Sequence, residues 1–151
     1  ADLGQYGEAS LRVDALLASS EAKGMPTDEL LPLLSSQASW FASAGNLDEA
    51  ARHYLSLWDA HHNTDNAYVA FAGAQCVAWY PPQTHCEPKI ALARGVLGMV
   101  DRLRLAAAKV DASDQGLIAS AEQTVATSLV NAAGCADAAL VEEAQGRLRR
   151  R

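Results

Sequence analysis

The chain has 151 residues and a mass of 16.0 kDa; half of its residues are hydrophobic and a fifth are charged, which is the composition of one globular domain and excludes a disordered tail or a collagen-like repeat. Aromatic residues make up only 6% while alanine is the commonest residue, so a core of Ala and Leu suits closely packed helices better than strands. A net charge of -6 and a pI near 5.1 speak against nucleic-acid binding, which needs a basic footprint, and no apolar run is long enough to span a membrane.

Helical signals run along the whole chain. The first predicted helix covers Gln5 to Glu21, with Leu11, Ala15, Leu16 and Leu17 at helical spacing and Val13 close by. Gly24 ends it and Met25-Pro26 connects it to the next. Thr27 reads as the N-cap of a second helix that runs to Ala44 and stops at Gly45. Asn46 caps the third, with Glu49 three residues on in the capping-box position. Leu47, Ala50, Ala51, Tyr54, Leu57 and Trp58 follow, and the helix frays at His61-His62-Asn63.

Thr64 or Asp65 opens a fourth helix holding Tyr68, Val69, Phe71, Ala72, Cys76 and Trp79, and Pro81-Pro82 ends it because proline cannot continue a helix. The fifth begins at Glu87-Pro88 and continues to Val110. Ser113 caps the sixth, whose buried side carries Leu117, Ile118, Ala121, Val125, Leu129 and Val130, and Gly134 breaks it. The seventh runs from Ala136 to Arg149, with Arg147, Arg149 and Arg150 where cations suit the helix dipole.

One segment matches another. Residues 4–9 read Gly-Gln-Tyr-Gly-Glu-Ala and residues 45–50 read Gly-Asn-Leu-Asp-Glu-Ala; residues 134–139 give a fainter copy. The first two lie 41 residues apart, and a period of this size with a helix pair per unit marks an α-solenoid. The stretch Leu34 to Trp58 resembles one tetratricopeptide repeat (TPR) unit. Leu34, Gln37, Ala38 and Phe41 fall on its first helix, and Gly45, Leu47, Ala50 and Tyr54 on its turn and second helix. Gln37 stands where the family has an apolar residue. Gly4, Tyr6, Ala9 and Val13 repeat the second-helix half, with no first helix before them.

This resemblance implies an all-α fold of about seven helices, stacked as antiparallel hairpins in a right-handed solenoid over residues 1–151, and a non-catalytic module that holds a partner peptide or protein in its groove. Ser35, Ser39 and Ser43 share one face of the second helix and are the expected groove residues; Trp79 and Tyr80, leaving a helix into a loop, are the expected exposed anchors. Lys, Arg and Asn at clamp positions are missing, so no carboxylate clamp is expected. Gly73, Ala91 and Ala93 are the small residues expected at the interface of the fourth and fifth helices.

Other classes remain. His53, His61 and His62, with Asp59, Asp65 and His85-Cys86, suggest a small helical metal-binding protein or enzyme, though no HExxH or paired CxxC motif is present and solvated histidines are the plainer reading. A structural repeat segment of a larger protein is the third reading. The start at Ala1 fits a removed signal peptide or a piece of a longer chain; the cytoplasm is the expected compartment, the periplasm if a signal peptide was removed. The three cysteines read as reduced packing thiols; under oxidising conditions Cys76 and Cys86 are the expected pair, leaving Cys135. No cofactor motif, phosphate loop or nucleophile elbow occurs, and Glu142-Glu143 reads as a solvated helix face.

Overall fold

The computed structural model describes residues 3–18, 24–79, 86–106, 111–131 and 138–150. Among these, all regular structure is α-helical, in seven helices: α1 Leu3–Ala18, α2 Thr27–Ser43, α3 Leu47–His61, α4 Ala67–Trp79, α5 Cys86–Leu105, α6 Ala112–Asn131 and α7 Ala138–Arg149. No described helix is long and apolar enough to cross a membrane. The residues group into two compact units, Ala1–Ala60 and His61–Arg151.

In the first unit α1 packs on α2. The apolar face of α1 differs from the expected one. Val13 is buried at 5% exposure, whereas Leu11 is 68% exposed and Ala15 is exposed; the side chains of Leu16 and Leu17 lie outside the described residues. One contact between the two helices is polar. Gln37 on α2 is fully buried, and its amide donates a hydrogen bond to Asp14, which stays exposed on α1 beside the buried Val13. Helix α2 buries Leu31, Ser35, Gln37 and Ala38 and runs through Pro32, although an interior proline removes a backbone donor.

Thr27 is not the cap of α2. Pro26 holds that position in an extended conformation, and the Glu29 and Leu30 amides donate to its carbonyl, both at 3.0 Å. At its other end α2 closes with a Schellman turn. The Asn46 amide donates to the Phe41 carbonyl at 2.9 Å and the Gly45 amide to that of Ala42 at 3.0 Å. Gly45 has φ +84°, a left-handed conformation that only glycine adopts without strain. Asn46 then caps α3 as expected, its Oδ1 accepting from the Glu49 amide at 3.4 Å. Glu49 does not complete the reciprocal box: its carboxylate pairs with Arg52. Tyr54, Leu57 and Trp58 are buried along α3, while Leu47 is 55% exposed.

In the second unit α4 touches α5 and α6, α5 touches α6, and α7 packs on α6. Helix α4 is apolar nearly all round, which places it centrally, and Ala70, Ala72, Gly73, Ala74 and Val77 are buried along it. Small side chains here, with Ala93 on α5 and Ala121 and Ala126 on α6, let the helix axes approach closely. Ala91, expected beside Ala93, is exposed.

The helix starts again differ from expectation by a residue or two. Asn66 caps α4, accepting from the Tyr68 amide at 2.8 Å, in place of Thr64 or Asp65. Asp111 caps α6, accepting from the Asp114 amide at 2.9 Å and the Ser113 hydroxyl at 2.8 Å, so Ser113 lies inside the first turn. Ser, Asp and Asn are comparable caps, so the backbone geometry at the helix start selects which of the adjacent acceptors is used. These bonds hold the Asp111 carboxyl below the usual aspartate range. Asp65 pairs instead with Arg102 on α5, whose Nε donates to both carboxylate oxygens at 2.9 and 3.1 Å.

The cysteine expectation holds for Cys76 as a packing thiol and is overturned for Cys86. Cys86, at the start of α5, is disulfide-bonded, while Cys76 is a buried thiol outside that bond. Cys76 is 6% exposed on α4, a helix packed against α5 and α6. Cys135 lies outside the described residues.

Candidate functional site

Among the depressions of the described surface are an open one of about 430 Å³ in the first unit and another of about 430 Å³ in the second. The first is built on the α1–α2 pair and is lined by Gln5, Glu8, Ala9, Arg12 and Val13 of α1 and Trp40 of α2. The α1 residues recur at helical spacing, so one face of that helix forms a wall. Trp40 is half-buried opposite, and Glu8 and Arg12 are exposed. Neither of these two charges makes an ion pair among the described residues. The site therefore offers an aromatic ring, a carboxylate, a guanidinium and an amide to a ligand.

The second depression, in the other unit, is lined by Asp101, Arg104, Glu122, Arg147 and Arg150. Its centre is Arg147, only 8% exposed. Nη1 donates to Asp101 Oδ1 at 2.9 Å and to Glu122 Oε2 at 2.8 Å. Nη2 donates to Asp101 Oδ2 at 2.8 Å and to Glu143 Oε1 at 3.0 Å, and Nε reaches the same Glu143 oxygen at 3.3 Å. A guanidinium has five N–H groups, and all five are spent on carboxylates. The other Glu122 oxygen takes Arg104 Nη1 at 2.6 Å.

Electrostatics reinforce this closure. The Arg147 bond pulls the Asp101 carboxyl below its ordinary value against the opposing effect of burial. Burial alone would raise the Glu122 carboxyl, but hydrogen bonds from Arg104 and Arg147 outweigh it and hold the group low. Asp101 and the other two carboxylates raise the Arg147 guanidinium in turn, against desolvation. The cluster is a satisfied network joining α5, α6 and α7, with its central donors already occupied. The α1–α2 depression is the better candidate for binding.

The sequence-expected residues are scattered. Ser35 is buried at 7%, whereas Ser39 and Ser43 are exposed on α2; none of the three lines the depression. Trp79 is half-buried at the end of α4, and Tyr80 lies outside the described residues. His53 stacks on Phe41, with ring centroids 4.8 Å apart, and its Nδ1–H donates to the Glu49 carbonyl at 2.8 Å. Among the described residues no three His, Cys, Asp or Glu side chains come together as a metal site.

Sequence reasoning passed over both clusters. Gln5, Glu8 and Arg12 share the spacing of one helix face, a signal that was present but polar, and so hidden by a search for apolar stripes. Arg147 was legible only through Glu143 four residues earlier; its other partners lie 25 and 46 residues away. No family model, curated protein or solved structure matches this chain.

Proposed function

We propose that this protein is a non-catalytic interaction module that binds a peptide segment of a partner protein in the α1–α2 depression. The observation that carries the reading is Trp40, half-buried beside exposed Glu8 and Arg12 in an open concavity. Aromatic anchors flanked by polar side chains are what protein partners use to gain affinity and register. Ser43, one turn beyond Trp40 on α2, extends that edge, with Ser39 further round the helix.

The TPR-like hairpin stack is part of the same proposal. It is supported by the Schellman turn at Gly45, by the Phe41–His53 contact between α2 and α3, and by the neighbour pattern of the second unit, in which each helix from α4 to α7 touches the next and α6 also packs on α4. A stack of hairpins produces such neighbours. The argument from fold to binding is one of analogy.

The test is a backbone-amide NMR titration of the full chain with short synthetic peptides of acidic, neutral and basic composition. Binding at this site moves the amides of Gln5, Glu8 and Arg12 and the Trp40 indole together and saturably. If every peptide leaves these resonances in place, the reading fails.

A further inference from the structure

The acidity of the chain is not spread evenly. Residues 1–60 carry nine carboxylate side chains against three cations, Arg12, Lys23 and Arg52, a formal charge of -6. Residues 61–151 carry nine against nine and are formally neutral. The whole net charge of the protein therefore belongs to the unit that holds the Trp40 depression. In the neutral unit the second depression consumes its own charges, because the donors of Arg147 all end on carboxylates.

We propose that the Trp40 depression takes an arginine of a basic partner segment, its guanidinium against the Trp40 indole and its N–H groups directed to the Glu8 carboxylate. This rests on the reading of that depression as a peptide site. Three observations converge on it. Tryptophan is the side chain that best attracts a cation to its ring. Glu8 lines the same depression and has no ion-pair partner among the described residues. The surrounding unit bears a net negative field that steers cations toward it and repels acidic competitors. Arg12 is the cation within the lining, and the field stays negative with it counted. Arginine suits the site better than lysine, because its planar fork stacks on a ring and meets a carboxylate at once.

The experiment titrates the full chain with a short capped peptide of alternating arginine and serine, its citrulline counterpart, which keeps the shape without the charge, and its glutamate counterpart. The readout is the Trp40 indole N–H resonance, assigned by its loss in Trp40→Phe. The arginine peptide should shift it saturably, the citrulline and glutamate peptides should not, and Glu8→Gln should weaken binding about threefold or more. Raising salt from about 0.05 to 0.5 M should weaken it further. Glu8 is exposed, so its substitution leaves the fold in place. Equal binding of the citrulline peptide, or a Trp40 shift with the glutamate peptide, overturns the basic-partner inference and leaves the peptide site standing. Silence of Trp40 toward every peptide, the neutral and acidic ones included, overturns both.

Discussion

Arg147 Nη1 lies 2.8 Å from Glu122 Oε2, with both side chains less than a tenth exposed. A buried pair of this kind sets α7 against α6, and Asp101 at 2.8 Å from Nη2 adds α5. Removing one partner of such a pair leaves an uncompensated charge, which costs more than the pair gains over an apolar replacement. Arg147→Met should therefore destabilise the protein by about 3 kcal/mol or more. The double variant Arg147→Met with Glu122→Leu should recover part of that loss. Denaturant unfolding of the single and double variants measures the coupling; strict additivity would show that the two charges act independently.

Acid should loosen the same three helices. The folded-state pKa values of Asp101 and Glu122 are depressed by Arg147 and Arg104. The stability they confer is thus fully present above their unfolded values, near pH 4 to 4.5, and is lost as pH falls through the lower folded values. Asp114 works in the opposite direction, since burial and the charge of Asp111 raise it. Asp111, held low by its capping bonds, adds to Asp101 and Glu122, so three depressed groups against one raised group give a net loss toward acid. The hydrogen-exchange protection of Leu140 and Ala144 on α7, corrected for the intrinsic pH dependence of exchange, should fall below about pH 4.5 in the native protein. In Arg147→Met the pH dependence at these amides should flatten.

Gly45 and Gly116 should respond oppositely to alanine. Neither has a neighbour within 4 Å of an added Cβ, so packing does not enter the comparison. Gly45 sits at φ +84°, where an L side chain is strained, and Gly45→Ala should cost about 1 kcal/mol. Gly116 lies within helix α6, where alanine is the better helix former, and Gly116→Ala should add about 0.5 to 1 kcal/mol. Shifts of the denaturation midpoint in opposite directions check both signs.

The cysteines should separate by reactivity. Cys76 is a buried thiol and Cys86 is already bonded. A thiol reagent should leave Cys76 unmodified in the native protein and label it once denaturant exposes α4. Cys86 should remain unlabelled in denaturant until a reductant is added. Peptide mass mapping after each step reads the two outcomes, and labelling of Cys86 without reduction would contradict the disulfide.

Much of the helical fold was written locally. The apolar run from Ala67 to Val77, the glycine at 45 and the capping asparagine at 46 each act within a few residues, and these features appear where the spacing put them. Cap positions moved where two acceptors stood side by side, as at Asp111 and Ser113, because only the final backbone geometry selects between them. The inward face of α1 was misread for a different reason. Leu11 looked like core, but Val13 is the α1 side chain that is buried, and the buried Gln37 amide on α2 takes Asp14 of α1 as its polar partner.

The candidate sites divide along the same line. Sequence by itself determined the helical class, the seven segments and the net charge, since propensity, periodicity and composition are properties of short stretches or simple sums. Tertiary structure decided which charges are spent and which are left for a ligand. Arg147 looked like a terminal cation beside a helix dipole, and it became the centre of a closed network because residues from two other helices fold against it. Glu8, Arg12 and Trp40 looked unrelated, and the packing of α1 on α2 brought them to one concavity. Burial changes the strength of a charge interaction and proximity its partner, and both are set only when distant parts of the chain meet.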